Sequence, residues 1–190
     1  MGVSTALVVV DVQNDFVDPK GSLYVPGGEE VVEAVNRLVA EHLAAGDPVF
    51  YTQDWHPAST PHFAKDGGAW PVHCVAGTWG AQLAPGLRVE GPVVRKGTGQ
   101  DDGYSGFFVR DSVSGQVRPT ELEGLVRQSG AGRVVVAGVA GDVCVRATAL
   151  DALALGLEVA VAWPAVRCVE PAKEQEVRRE LAASGVGEAG

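Results

Sequence analysis

Short apolar runs alternate with amphipathic segments along this chain, and that alternation restricts the folds open to it. It is the pattern of a parallel sheet covered by helices on both faces. The strands are predicted at residues 5–10, 48–52, 92–94, 133–139 and 157–162. The sequence therefore predicts a three-layer α/β/α fold with a mostly parallel, doubly wound sheet.

Four amphipathic segments fit helices between or after these strands. Residues 29–45 place six apolar side chains on one helical face, and Gly46 ends the segment. The other helices are predicted at residues 120–128, 143–155 and 171–183, with Thr120 near a cap. Residues 184–190 are expected to form a frayed tail.

Length and charge narrow the class of protein. A chain of 190 residues fits one domain, so residues 1–190 are taken as a single domain. Twenty-four Asp and Glu against fifteen Lys and Arg give a net charge of −9, which repels phosphate backbones and anionic membrane surfaces. We therefore expect neither nucleic acid nor a membrane as a partner. With no signal peptide and no apolar run of about 20 residues, we expect a cytoplasmic protein.

One carboxylate and three of the four histidines lie close together within a long, irregular interval between predicted strands. They are Asp54, His56, His62 and His73. Imidazole nitrogen and carboxylate oxygen suit zinc, iron or manganese, and there is no Cys-x-x-Cys pair that would indicate a structural zinc site. The interval therefore predicts a metal site with an open position, although solvent-facing histidines in a polar loop are the alternative.

Ionisable residues also follow several of the predicted strands. Asp11 follows the first strand, Asp54 the second, Lys96 the third, and Cys144 the fourth. Because ligands collect at the carboxyl ends of the strands in an open parallel sheet, we expect these side chains to converge. Three cysteines at irregular spacing make a disulfide framework improbable, so each thiol is judged by its surroundings.

Cys144 is the candidate nucleophile of this edge. A thiol at a helix N-terminus, close to the Lys96 ammonium, is favoured as a thiolate, and Asp11 can act as its proton acceptor. Gly138 and Gly141 allow a sharp turn, so the amides of Ala140 and Cys144 are the predicted oxyanion hole. The alternatives are a buried apolar Cys144, a turn-capping Asp11 and a surface Lys96.

Five segments together resemble the isochorismatase-like cysteine hydrolases and, within them, the nicotinamidases. The segments are Asp11-Val-Gln-Asn-Asp15-Phe16, Asp54-Trp-His56-Pro, Trp70-Pro-Val-His73-Cys74, Lys96-Gly and Gly138-Val-Ala-Gly-Asp142-Val-Cys144-Val. The first segment is shared widely in the superfamily, whereas the metal cluster with Trp-Pro-x-His-Cys is more particular to nicotinamidases. The resemblance extends over nearly the whole chain.

The resemblance implies hydrolysis of nicotinamide to nicotinate and ammonia through a cysteine thioester, as a step of NAD recycling. It implies a catalytic triad of Asp11, Lys96 and Cys144. One divalent metal, zinc first and otherwise iron or manganese, would bind the pyridine nitrogen and also carry water. Assembly states vary among family members, so a homo-oligomer is a possible state.

The resemblance also implies details of individual residues. The implied metal ligands are Asp54, His56, His62 and His73, and the residues lining the ring pocket are Phe16, Trp70 and Tyr104. A cis peptide is expected at Val139–Ala140. Trp163-Pro164 departs from the polar start that relatives usually have after the fifth strand.

Several readings remain open from sequence. A related cysteine amidohydrolase acting on another carboxamide or carbamoyl compound would keep the triad but need not keep the metal cluster. A hydrolase using only metal-bound water would make Cys144 incidental, and a binding module would need neither. Asp142 is interpreted as a possible helix cap, and Cys74 and Cys168 as packing or surface residues.

Overall fold

The computed structural model describes residues 4–190, and its centre is a six-stranded parallel sheet. Its strand order is β3-β2-β1-β6-β7-β8, and every neighbouring pair is parallel, whereas β4 and β5 form a separate antiparallel hairpin. The strands are β1 (Thr5–Val10), β2 (Val49–Asp54), β3 (Val93–Lys96), β4 (Phe108–Arg110), β5 (Val117–Pro119), β6 (Arg133–Val139), β7 (Glu158–Arg167) and β8 (Gly187–Glu188).

Helices cover both faces of the sheet. Side chains of β1 alternate between the faces: Leu7 and Val9 pack with α2, whereas Val8 and Val10 share a core with α3, α4 and α5. This arrangement confirms the predicted fold class. The helices are α1 (Asn14–Val17), α2 (Glu29–Ala45), α3 (Glu121–Ser129), α4 (Arg146–Ala154) and α5 (Glu174–Ser184).

The apolar pattern predicted the central elements well and their polar ends less well. The bounds of β1, α2 and β6 are those predicted, and Gly46 ends α2 in the left-handed conformation. The strands β2 and β3 each continue two residues further, to Asp54 and Lys96. Both side chains are buried, so the strands extend past their apolar residues into the polar edge of the sheet.

The C-terminal segment corrects one prediction, because residues 184–190 are not a frayed tail. Val186 is buried in the core, and residues 187–188 form β8 beside β7. The Ala189 amide donates to the Val161 carbonyl, and Arg178 of α5 pairs with Glu188. One buried side chain and a few backbone bonds are enough to order the segment, although its composition resembles a loop.

The connection from β2 to β3 has little regular structure, as its composition predicts. It contains a single turn of 3₁₀-helix, Ala64–Asp66. Two isolated bridges, His56 with Val75 and Phe63 with Trp70, fold the connection back on itself above the sheet edge. No helix within residues 4–190 combines the length and the apolar character needed to cross a bilayer.

Close approach of β6 to β1 predicts that alanine is not tolerated at Gly138. Gly138 has a φ of +113°, and a Cβ there would lie 2.1 Å from the Val10 carbonyl oxygen. Gly138→Ala is expected to lower the free energy of unfolding by about 2–5 kcal/mol, measured by urea denaturation. Gly124→Ala in α3 is the control: nothing lies within 4 Å of its Cβ position, so it should raise stability by about 1 kcal/mol. Equal effects would contradict the close approach.

Candidate active site

The order in which the chain adds strands to the sheet reverses between β1 and β6. Open α/β sheets bind ligands in the crevice at such a point. Asp11 follows β1 with a φ of +51°, and Cys144 follows β6 within the π-helical turn Gly141–Val145. Asp54 and Lys96 end β2 and β3 as partners in register. The structure thus brings the four strand-end residues together at one edge.

Lys96 is the centre of this group. Its Nζ lies 2.8 Å from Asp11 Oδ2, 2.5 Å from Asp54 Oδ1 and 3.9 Å from Cys144 Sγ, and it also donates to the Gly103 carbonyl. Burial acts to lower the pKa of Lys96, but the two carboxylates raise it well above its ordinary value. Lys96 therefore stays an ammonium ion, so the surface position considered from sequence does not apply.

Cys144 is held as a protonated thiol rather than a thiolate. Burial raises the pKa of the Cys144 thiol well above its ordinary value, and the Lys96 ammonium opposes this effect without overcoming it. Lys96 favours the thiolate, as expected, but desolvation acts in the opposite direction and is the larger effect. A proton acceptor is needed before the sulfur can act as a nucleophile.

Asp11 has the properties of that acceptor. Burial raises the pKa of its carboxyl to about 6, against the opposing attraction of Lys96. Thr52 Oγ1 donates to Asp11 Oδ1 over 2.7 Å, whereas Oδ2 contacts Lys96 Nζ and accepts no directed hydrogen bond from residues 4–190. The carboxylate lies within 4.8 Å of Cys144 Sγ. Asp11 can thus take the thiol proton over a short distance.

Three histidines from the β2–β3 connection form a second group beside this one. Ligand nitrogens of His56, His62 and His73 lie within 4.8 Å of one another, and all three side chains are buried. His56 Nε2 is 3.6 Å and His73 Nε2 is 3.8 Å from Asp54 Oδ2. Asp54 therefore contacts Lys96 through one oxygen and faces the histidines with the other.

The hydrogen bonds of the histidines fit a metal site. His56 Nδ1 is 2.9 Å from the Gly97 carbonyl and His73 Nδ1 is 2.7 Å from the Pro71 carbonyl, so both nitrogens must be donors. Each Nε2 is then left with a free lone pair, and that of His56 is buried without a partner in the described chain. Carbonyl-anchored imidazoles of this kind are typical metal ligands.

The electrostatics of the site favour the neutral forms of His62 and His73. Burial lowers the pKa of His62 to about 3, with His56 and His73 adding to the effect, and burial also lowers the pKa of His73. Burial acts to raise the pKa of Asp54, but Lys96 and the neighbouring histidines hold it well below its ordinary value. Neutral imidazoles and an ionised carboxylate are the forms that bind divalent metals.

A single cavity opens onto both groups. It contains about 360 Å³ of atom-free space, including its mouth, and Cys144, Asp54, His62 and His73 are among its lining residues. The opening places a bound molecule between the thiol and the histidines.

The cavity walls include the three aromatic residues that the sequence singled out, Phe16, Trp70 and Tyr104. Trp70 Nε1 donates to the Tyr104 hydroxyl over 3.0 Å, so the two rings are linked across the mouth. Ala140 and Cys144 line the same cavity, and the Val139–Ala140 peptide is cis, as the resemblance predicts. The oxyanion hole at these two amides stays a prediction.

Sequence reasoning missed the aliphatic part of the lining. Leu23, Val25, Val143 and Val169 also line the cavity. Val143 and Val169 gave a usable signal, because they follow the carboxyl ends of β6 and β7, whereas Leu23 and Val25 lie in a loop without a periodic pattern.

Asp142 and the remaining cysteines have structural contacts around the site. Asp142 does not cap a helix: its carboxylate accepts hydrogen bonds from the Val169 and Glu170 amides, which holds the segment after β7 against the cavity. Cys74 and Cys168 are both buried, so they pack in the interior rather than lie on the surface.

The chain is similar in sequence to known proteins over most of its length. Residues 5–187 match the isochorismatase domain. The nicotinamidase of Escherichia coli (strain K12) is 35% identical over 200 aligned positions, which cover 95% of this chain and 92% of that protein.

Two solved structures have the same fold. The pyrazinamidase of Pyrococcus horikoshii in complex with zinc has a TM-score of 0.86 and 37% identity, covering 98% of both chains. PnC1 from L. infantum in complex with nicotinate has a TM-score of 0.87 and 38% identity, covering 98% of this chain and 92% of that one. The chain therefore belongs to the isochorismatase family.

Proposed function

We propose that this protein is a nicotinamidase, which hydrolyses nicotinamide to nicotinate and ammonia and so returns nicotinamide to NAD synthesis. The observation that carries the proposal is one apolar cavity lined by Cys144 and by two members of the histidine group, His62 and His73. The similarity to the Escherichia coli nicotinamidase, and to a relative crystallised with nicotinate, supports the same substrate.

The histidine group and the aromatic walls would bind the ring. Asp54, His56, His62 and His73 would hold one divalent metal, and the zinc complex of the Pyrococcus horikoshii relative favours zinc over iron or manganese. When bound, the metal supplies a Lewis-acid contact for the pyridine nitrogen. Phe16, Trp70 and Tyr104 enclose the ring faces and exclude water, so the carboxamide is directed toward Cys144.

The first chemical step needs the thiol proton to move. Asp11 accepts the proton from Cys144 Sγ while Lys96 stabilises the thiolate that forms. The sulfur then bonds to the carboxamide carbon, and the carbonyl oxygen becomes an oxyanion. The amides of Ala140 and Cys144 are proposed to stabilise that oxyanion, a contribution that is typically about 2.7–4 kcal/mol for one donor.

The second half of the reaction restores the enzyme. Asp11 returns its proton to the leaving nitrogen, the carbon–nitrogen bond breaks, and ammonia departs from a Cys144 thioester. Water then attacks the thioester carbon while Asp11 accepts a proton from it. The carbon–sulfur bond breaks, Asp11 returns the proton to the Cys144 sulfur, and the acid product leaves as nicotinate after it loses its own proton to water.

The alternative is a related amidohydrolase that acts on another carboxamide or a carbamoyl compound. Such an enzyme would use the same Asp11, Lys96 and Cys144. It would have no use for a second group of three buried histidines around Asp54, so the histidine group favours nicotinamide.

The decisive test is ammonia release from nicotinamide by the purified protein. We expect activity that is lost after chelator treatment and restored by zinc, iron or manganese added separately. Benzamide lacks the ring nitrogen, so the metal held by the histidine group could not bind and orient it. We therefore expect a kcat/KM for benzamide at least about 100-fold lower than for nicotinamide. No ammonia release with any of the three metals would refute the proposal.

Removal of the nucleophile should abolish turnover and spare the metal site. Cys144→Ala is expected to lower kcat by about 10⁴-fold or more, since the members of a catalytic triad act as a unit. Its metal content, measured by elemental analysis, should match that of the wild type. Cys168→Ala, which removes another buried thiol, should keep most of the activity. An active Cys144→Ala protein would instead indicate catalysis by metal-bound water.

Loss of a metal ligand should affect substrate binding as well as metal content. His56→Ala removes a buried lone pair and its carbonyl anchor, so we expect reduced metal content and a raised KM for nicotinamide. His42→Ala is the matched control, because His42 lies on α2 and pairs with Asp47. If His56→Ala leaves both KM and metal content unchanged, the histidine group does not bind the ring through a metal.

A further inference from the structure

We infer that Gln13 is a positioning residue that sets the orientation of Asp54 and thereby joins the two halves of the site. The inference deepens the function proposed above and rests on it. Gln13 does not line the cavity, and within residues 4–190 its side-chain hydrogen bonds go to backbone groups and not to a histidine. Its side chain is completely buried, two residues after the proposed base Asp11.

The need for such a residue arises from the ends of β1 and β2. The last register pair between these strands is Val9 with Tyr51, and the positive φ of Asp11 turns the chain out of the sheet. Strand β2 continues to Asp54, whose neighbour Trp55 donates to the Lys96 carbonyl on the β3 side. Because backbone groups alternate between the edges of a strand, those of Asp54 face the side that β1 has left.

The Gln13 side chain takes the place of the missing strand. Its Oε1 accepts from the Asp54 amide over 2.8 Å, and its Nε2 donates to the Asp54 carbonyl over 2.8 Å. The same Nε2 donates to the Ala81 carbonyl over 2.9 Å. One side-chain amide therefore pairs with both backbone groups of Asp54, as a single residue of a neighbouring antiparallel strand would.

This pairing fixes the orientation of the Asp54 carboxylate, which lies between Lys96 and the histidine group. Asp54 Oδ1 contacts Lys96 and Asp54 Oδ2 faces His56 and His73, so a rotation of its backbone would disturb both contacts together. The backbone N–H of Gln13 also donates to the Asp11 carbonyl over 2.7 Å. Gln13 thus sets the spacing between Asp11 and Asp54, the two carboxylates that share the Lys96 ammonium.

Gln53 offers a matched control for this role. It is the same residue type, it is buried, and its Nε2 donates to the same Ala81 carbonyl over 2.8 Å. The hydrogen bonds of its side chain do not include the backbone of Asp54. A general loss of buried hydrogen bonds should therefore affect both glutamines, whereas a positioning role belongs to Gln13 alone.

The test is Co²⁺ binding by Gln13→Met, Gln53→Met and the wild type, measured by competition with a chromophoric chelator. We expect the dissociation constant for Co²⁺ to rise about 10- to 100-fold in Gln13→Met, as for other residues that orient metal ligands, and less than about threefold in Gln53→Met. The visible absorption of bound Co²⁺, which reports ligand geometry, should change only in Gln13→Met. Thermal unfolding would report the stability of each variant.

The outcomes separate positioning from simple stability. Equal Co²⁺ affinities and spectra in the two methionine variants would overturn the inference, even if Gln13→Met melts at a lower temperature. If Gln13→Met does not fold, Gln13→Glu keeps the acceptor for the Asp54 amide and loses both donations, so the same weakening is expected and unchanged binding would overturn the inference. A wild type that binds Co²⁺ but releases no ammonia would refute only the proposed function, whereas one that binds no Co²⁺ would refute both.

Discussion

The site depends on one buried ammonium ion shared by two carboxylates. Lys96 is almost completely excluded from water, and moving an isolated ammonium into such a place costs several kcal/mol. Asp11, Asp54 and the Gly103 carbonyl offset that cost. The contacts form because β1, β2 and β3 are parallel neighbours that end at the same edge. The fold therefore has to keep these three strand ends in register for Lys96 to remain charged.

The two carboxylates differ although they share a cation. Asp54 is surrounded by histidines as well as Lys96, and its pKa is held low, so its carboxylate remains ionised. Asp11 has only Lys96 and the Thr52 hydroxyl against its burial, and its pKa is raised to about 6. When the environments of two neighbouring carboxyl groups shift their pKa values in opposite directions, the two groups suit different chemical roles. Here one suits proton transfer and the other suits a metal.

The features of the fold and site that neighbouring residues determine could be predicted from the sequence, and those that distant residues determine could not. The apolar runs of β1 and β6 and the periodic face of α2 carried enough information to set their bounds. Because ligands collect at the carboxyl ends of parallel strands, the sequence alone predicted that Asp11, Lys96 and Cys144 lie together. The protonated state of Cys144 was not predictable, because it follows from burial by distant loops. The same is true of Leu23 in the cavity wall and of β8, which depend on tertiary contacts.

The histidines and the proposed triad come from different parts of the chain, so the two groups can change independently during evolution. His56, His62 and His73 all lie within the single connection between β2 and β3, whereas Asp11, Lys96 and Cys144 come from three separate strand ends. An exchange of that one connection would replace the three histidines together. The residues of the proposed triad would remain at their strand ends. Selection for a new substrate can therefore act on one contiguous segment of the gene.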